Sequence, residues 1–156
     1  MNATFTIDVL DGSDLVALAQ CMALDATAFP HPSVPQVLAG VPRVWIARRD
    51  VVLGFVATAT NHKVLDVVGL AVDAAHQRAG VGRALVRTAV DVAYDRHLLG
   101  VTLNVSTANE AAIALYESEG FIAVERMKRY YRSARFGDGG DAFRMVLAFN
   151  ARPMRL

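Results

Sequence analysis

Residues 70–86, Leu-Ala-Val-Asp-Ala-Ala-His-Gln-Arg-Ala-Gly-Val-Gly-Arg-Ala-Leu-Val, restrict the folds open to this chain more than any other stretch. An apolar, β-branched run stops at Asp73, small residues turn the chain, and Gly80 and Gly82 open a segment of helical periodicity. The pattern predicts strand, turn and helix in immediate succession. The first backbone N–H groups of a helix have no partner inside it, and the helix dipole favours negative charge there. Glycines in the first turn keep Cβ atoms out of the path of a diphosphate, and Gln77, Arg78 and Arg83 add side-chain donors. An ordinary strand-to-helix bend uses the same glycines, so Gln77-x-x-Gly80-x-Gly82 alone leaves both readings open.

A second stretch, Asn109-Glu-Ala-Ala-Ile-Ala-Leu-Tyr-Glu-Ser-Glu-Gly-Phe121, follows an apolar strand downstream of the first. Together the two resemble the GCN5-related N-acetyltransferase (GNAT) superfamily. Its acyl-CoA signature is Gln/Arg-x-x-Gly-x-Gly/Ala followed by Asn-x-x-Ala-x-x-x-Tyr-x-x-x-Gly-Phe, and both parts are matched in full. Ala28-Phe29-Pro30 near the start, and Tyr130-Tyr131, Asp141-Ala142 and Met145 near the end, are similar to the RimI-like branch of protein N-terminal acetyltransferases.

The resemblance implies a mixed α/β (α+β) fold: a central, mostly antiparallel sheet of about six to seven strands flanked by helices, its central strands splayed around an acyl-CoA site. It also implies acetyl-CoA as cosubstrate, no metal, and a primary amine as acceptor. The preferred acceptor is a protein or peptide N-terminal α-amine, with a small-molecule amine as the alternative. A non-catalytic acyl-CoA-binding module is the rival from another class. A dinucleotide-binding domain fits less well, because Leu85 stands where that fingerprint needs a third glycine or alanine.

With 156 residues, 54% of them hydrophobic, the chain suits one domain over residues 1–156 with ample core. A net charge of +1 supplies no global basic field, so neither nucleic acid nor a membrane surface is an expected partner. Cys21 is the single cysteine, which excludes an internal disulfide and fits a reducing compartment. Met1-Asn2-Ala3-Thr4 lacks the basic and apolar blocks of a leader, and a cytoplasmic monomer or homodimer is expected.

In chain order, Thr4 to Leu10 alternates as a half-buried strand. Ser13 or Asp14 caps a helix whose Leu15, Leu18, Ala19 and Met22 share one face. Pro30, Pro32 and Pro35 make the next segment a loop, and by resemblance Phe29 to Pro35 walls the acceptor groove. Arg43 to Arg48 and Val51 to Thr60 read as a hairpin, and Lys63 to Val72 as a third strand. A helix from Val81 to about Arg96 and a strand from Val101 to Val105 follow. Ser106, Thr107 or Asn109 caps the next helix, Thr107 with Glu110 offering a capping box, and Gly120 ends it. Phe121 to Glu125 and Ala142 to Phe149 close the sheet, joined by a glycine-rich loop from Arg132 to Asp141.

Acyl transfer to an amine needs a held thioester, a stabilised oxyanion, a proton for the leaving thiolate and a neutral amine. By resemblance, main-chain groups of Leu70, Ala71 and Val72 bond the pantetheine like a neighbouring strand, and the diphosphate lies on Gln77, Arg78, Ala79, Gly80, Val81, Gly82 and Arg83. Asn109 reads as a helix cap and, by resemblance, as a CoA contact as well. Tyr116 matches the family's general acid, a phenol with an ordinary pKa of about 10; it also suits an aromatic on the helix's core face.

The base is less determined. By resemblance to the RimI-like branch a glutamate is expected on the strand before the Asn motif, and Asn104 stands there instead. Asp66 interrupts an apolar strand and is a base by resemblance to histone-type members, or else an outward-facing strand residue. Water held by Asn104 is a third route, and His62 a weaker candidate in a hairpin turn. By resemblance to the RimI-like branch Phe29, Tyr130 and Tyr131 frame the acceptor; a proline-rich connector at Phe29 and structural edge-strand tyrosines are the alternatives.

Overall fold

A computed structural model describes residues 4–28, 43–130 and 140–150. Phe29, the proline-rich segment, Tyr131 and most of the Arg132–Asp141 loop lie outside the described residues. The described elements are β1 (Thr6–Val9), α1 (Leu15–Ala28), β2 (Arg43–Arg48), β3 (Val52–Asn61), β4 (Val64–Val72), α2 (Val81–Asp95), β5 (Gly100–Ser106), α3 (Glu110–Ser118), β6 (Ile122–Met127) and β7 (Ala142–Ala148). A 3-10 turn at Ala74–His76 joins β4 to α2. The strands form one seven-stranded sheet in the order β1-β2-β3-β4-β5-β7-β6. Every neighbouring pair is antiparallel except β4 and β5, which run parallel because α2 is the crossover between them. The expected mixed α/β fold is therefore present.

The unbroken apolar runs of β2 and β3 follow from burial on both faces. On one face Trp45, Val56, Leu65, Val101, Leu103 and Met145 pack with Val81, Leu85 and Ala89 of α2 and Tyr116 of α3. On the other, Val44, Ile46, Phe55, Ala57 and Ala71 pack against Ala17 and Cys21 of α1. Each large apolar side chain buried this way contributes roughly 1.5–3 kcal/mol. Among the described residues no helix is long and apolar enough to cross a membrane.

The face of α1 departs from the expectation. Its cap is Asp14, which accepts from Ala17 N–H at 3.0 Å and pairs with Arg48. The buried side, however, is Ala17, Cys21 and Asp25, while Leu15 is 70% and Met22 41% exposed. Leu15-Val-Ala-Leu-Ala-Gln-Cys-Met-Ala is apolar all round, so periodicity does not single out one side. Small residues sit inward because they let the helix approach the sheet closely.

Candidate active site

The central feature is a split in the sheet. β4 and β5 pair over Val64↔Gly100, Leu65↔Val101, Asp66↔Thr102 and Val67↔Leu103, and no further. Beyond that point β4 stays bonded to β3 as far as Val72, and β5 stays bonded to β7 as far as Ser106. In the β3–β4 ladder Thr58 faces Val67 while Ala57 faces Gly69, so Val68 is an extra residue in β4 at the place where the strands part. Such a bulge bends its strand, and here it carries β4 away from β5.

The split leaves a strand edge open. Asp73 N–H donates to Leu53 O at 2.8 Å, so Asp73 and, two residues earlier, Ala71 turn their main-chain groups toward β3. Leu70 and Val72 alternate with these and present N–H and C=O to the split. Of the three residues expected to bond pantetheine, Leu70 and Val72 therefore face the split, while the backbone of Ala71 is committed to the sheet.

The turn leading to α2 lies beside this edge. Arg78 has φ +68° and Gly80, the N-cap, φ +83°. Gly80 relieves the Cβ strain of this left-handed position, which lets the chain reverse into the helix. The first bond into the helix is Ala84 N–H to Gly80 O at 3.0 Å, so the N–H groups of Val81, Gly82 and Arg83 point outward from the first turn. At Gly82 a Cβ would meet Leu115 Cδ2 at 3.4 Å and Val72 Cγ2 at 3.6 Å, ordinary packing distances. Gln77, Arg78, Ala79 and Gly80 are exposed, while the Val81 side chain plugs the core.

Arg83 is engaged elsewhere than expected. Its guanidinium donates to Ser118 Oγ at 3.0 Å and pairs with Glu119, which also receives Arg87 Nε at 3.1 Å. Burial acts to raise the Glu119 carboxyl, but Arg87 and Arg83 outweigh it and hold the group below its ordinary value. The Arg83 side chain thus ties α2 to the end of α3, and its N–H is what faces the turn's opening.

Tyr116 sits at that same end of α3. Asn109 caps the helix, its Oδ1 accepting from Ala112 N–H at 3.2 Å. At the other end Gly120, with φ +98°, allows Gly120 N–H to reach Glu117 O and Phe121 N–H to reach Tyr116 O, each at 3.0 Å. This Schellman closure sets the Phe121 ring 5.9 Å from that of Tyr116 and tilted by 58°, the Tyr116 side chain being buried in the core facing α2. Both readings of Tyr116 begin from this placement, since the ring is core whatever its hydroxyl does.

The opposite face of the sheet carries the polar residues. Thr102 and Asn104 alternate with the core residues Val101, Leu103 and Val105. Thr102 Oγ1 donates to Asp66 Oδ1 at 2.9 Å, placing Asp66 at the foot of the split. Asn104, the next same-face position on β5, lies within the split and donates from Nδ2 to Tyr130 Oη at 3.1 Å. Asp66, Asn104 and Tyr130 are therefore brought to one face, whereas His62, exposed with φ +55°, is in the β3–β4 turn.

Tyr130 is delivered by a residue whose role sequence reasoning missed. Asp141 accepts Arg129 N–H at 2.9 Å and Arg126 Nε at 3.0 Å, and its own C=O accepts Thr107 N–H at 3.0 Å. The Arg129 N–H bond, helped by Arg126 against a smaller effect of burial, lowers the Asp141 carboxyl. These contacts hold Arg129 in a left-handed conformation at φ +53°, which turns the chain so that Tyr130 reaches Asn104. Thr102 and Arg144, the latter opposite Asn104 on β7, were also missed; their polar character inside apolar strands was the available signal.

Comparison with known proteins places these features in context. The acetyltransferase (GNAT) family model matches residues 16–121. The chain is similar to the N-alpha-acetyltransferase RimI of Mycobacterium tuberculosis, 43% identical over 81 residues, 51% of this chain and 46% of that one. It spans about half the length of the first curated relatives it matches. Among solved structures, the ribosomal-protein-S18-alanine N-acetyltransferase of Escherichia coli superimposes with TM-score 0.82 and 28% identity, covering 98% of this chain and 99% of that one. The NatC complex bound to Gag peptide and CoA superimposes with TM-score 0.80 and 25% identity, covering 94% and 99%.

Proposed function

This chain belongs to the acetyltransferase (GNAT) family, and from that premise we propose that it moves the acetyl group of acetyl-CoA to a protein or peptide N-terminal α-amine. The observation that carries the reading is the split between β4 and β5, with the main chain of Leu70 and Val72 open toward it. Similarity to an N-alpha-acetyltransferase and to a ribosomal-protein-S18-alanine N-acetyltransferase, and likeness to the NatC complex solved with a Gag peptide and CoA, support the choice of acceptor.

In this reading the N–H groups of Val81, Gly82 and Arg83 bind the cosubstrate diphosphate, and Leu70 and Val72 bond its pantetheine amides. An N–H at Leu70 polarises the thioester carbonyl, a contribution worth roughly 3 kcal/mol where donors are preorganised. The acceptor amine attacks the carbonyl carbon from the Asp66–Asn104 face. Asp66 takes a proton from the amine as the C–N bond forms; as the C–S bond breaks, Tyr116 protonates the departing thiolate. Asn104 orients the amine or a water and does not itself take the proton. Phe29 and Tyr131 belong to the acceptor side by family resemblance alone, and Tyr130 also by its bond to Asn104.

The test is incubation with acetyl-CoA and peptides of varied first residue, read by CoA release and by mass of the peptide. Transfer to the N-terminal amine supports the reading. Transfer only to polyamines, aminoglycosides or amino acids moves the assignment to small molecules, and CoA binding with no turnover on any amine leaves a binding module.

A further inference from the structure

The sheet face that carries Asp66, Asn104 and Arg144 holds a charge arrangement that acetyl transfer does not by itself require. Asp66 stands at the foot of the split and Arg144 across from Asn104 on β7. Arg144 also faces Glu125 in the β6–β7 ladder, yet it enters no ion pair among the described residues. Its Nε is buried without a hydrogen-bond partner, and so is Oδ1 of Asn104 beside it. Burying an unpaired donor or acceptor is unfavourable, and native structures rarely keep one without a purpose. A guanidinium is well shaped to receive a carboxylate, giving it two parallel N–H bonds.

We propose that Arg144 receives a carboxylate carried by the amine acceptor, with Asn104 Oδ1 accepting an N–H of the same molecule and Asp66 facing its amine. This rests on the transfer reading above and names the substrate class within it. Asp66 is acidic on β4 and Arg144 basic on β7, with Glu125 on β6 beside Arg144, and an amine followed by an acid complements the Asp66–Arg144 pair. Two residues along β5 span about 7 Å and two strand spacings about 10 Å, which sets the Cα atoms of Asp66 and Arg144 about 12 Å apart before their side chains extend inward. That interval suits an acidic side chain at the first or second position of a peptide, or the α-carboxylate of a free amino acid. A basic side chain there meets like charge.

The test compares kcat/KM for peptides that differ only by Asp against Asn at positions 1 and 2, alongside the free amino acids. Wild-type protein is expected to favour the acidic peptide by roughly tenfold, the scale of one charge-assisted hydrogen bond. Arg144→Gln should collapse that ratio, Arg144→Lys should restore part of it, and Arg144→Glu should shift preference toward Lys peptides. A wild-type ratio near one, or a ratio that survives Arg144→Gln, overturns the proposal. The wild-type comparison needs no variant, so a misfolded mutant does not remove the test. If no amine is acetylated, the transfer reading fails, and calorimetric titration of the same peptides into CoA-saturated protein still decides the role of Arg144. Tighter binding of the Asp peptide supports it; equal binding refutes it.

Discussion

The Thr102 hydroxyl donates to the Asp66 carboxylate at 2.9 Å, one rung before β4 and β5 stop pairing. This bond orients Asp66 on the face where Asn104 and Tyr130 meet. Asp66→Asn keeps the shape and removes proton acceptance, so turnover should fall on the order of a hundredfold. Acetyl-CoA affinity should stay unchanged. Undiminished turnover in Asp66→Asn would retire Asp66 as the base.

The rings of Tyr116 and Phe121 are brought into a tilted contact by the closure that ends α3. Tyr116→Phe preserves the ring and deletes only the hydroxyl. Turnover is expected to drop by about a hundredfold or more with little change in melting temperature or CoA affinity. Tyr116→Ala, by contrast, should destabilise the fold by roughly 3–5 kcal/mol, because it empties a core position. Equal turnover in Tyr116→Phe would leave the residue as packing alone.

Gly82 lies between Val72 at the end of β4 and Leu115 on α3. Gly82→Val is expected to weaken acetyl-CoA binding at least tenfold by calorimetry, since its methyl groups occupy the approach to the outward-pointing amides. Unchanged affinity would place the diphosphate elsewhere.

Asp141 binds Arg129 N–H and Arg126, and its carboxyl is lowered in the fold. A carboxyl lowered by folding contributes stability above its unfolded value of 3.8, and that contribution is lost as pH falls through the folded value. Asp141→Asn should therefore lower the melting temperature at neutral pH and narrow its gap to wild type in acid. KM for the acceptor should rise as Tyr130 loses its anchor.

Cys21 is fully buried on the inner side of α1, and burial pushes its thiol up to about 11. Native protein should resist thiol reagents, and Cys21→Ala should keep its transfer activity, as direct attack without a covalent acetyl-enzyme requires. Loss of transfer in a folded Cys21→Ala protein would point to a covalent route.

The two hydrophobic periods and the punctuation at Gly80, Gly100 and Gly120 made most of the element order legible, because strands and helices write their spacing into the chain locally. The same local signals failed at α1, whose apolar residues surround the helix and leave its buried side to the sheet it meets. They also did not reveal that the Arg83 guanidinium is held by Glu119, since that pair joins residues 36 apart.

By itself the amino-acid order determined the strand-turn-helix around Gly80 and Gly82 and the helix around Tyr116, for these depend on neighbours within one or two turns, and its two motifs carried the resemblance to the GNAT family. Only the tertiary structure decided that Leu70 and Val72, rather than Ala71, open into the split. It alone set Asp66, Asn104 and Arg144 on one face. Those outcomes depend on strand register and on the bulge at Val68, and register is a relation between distant segments that no single stretch of sequence contains.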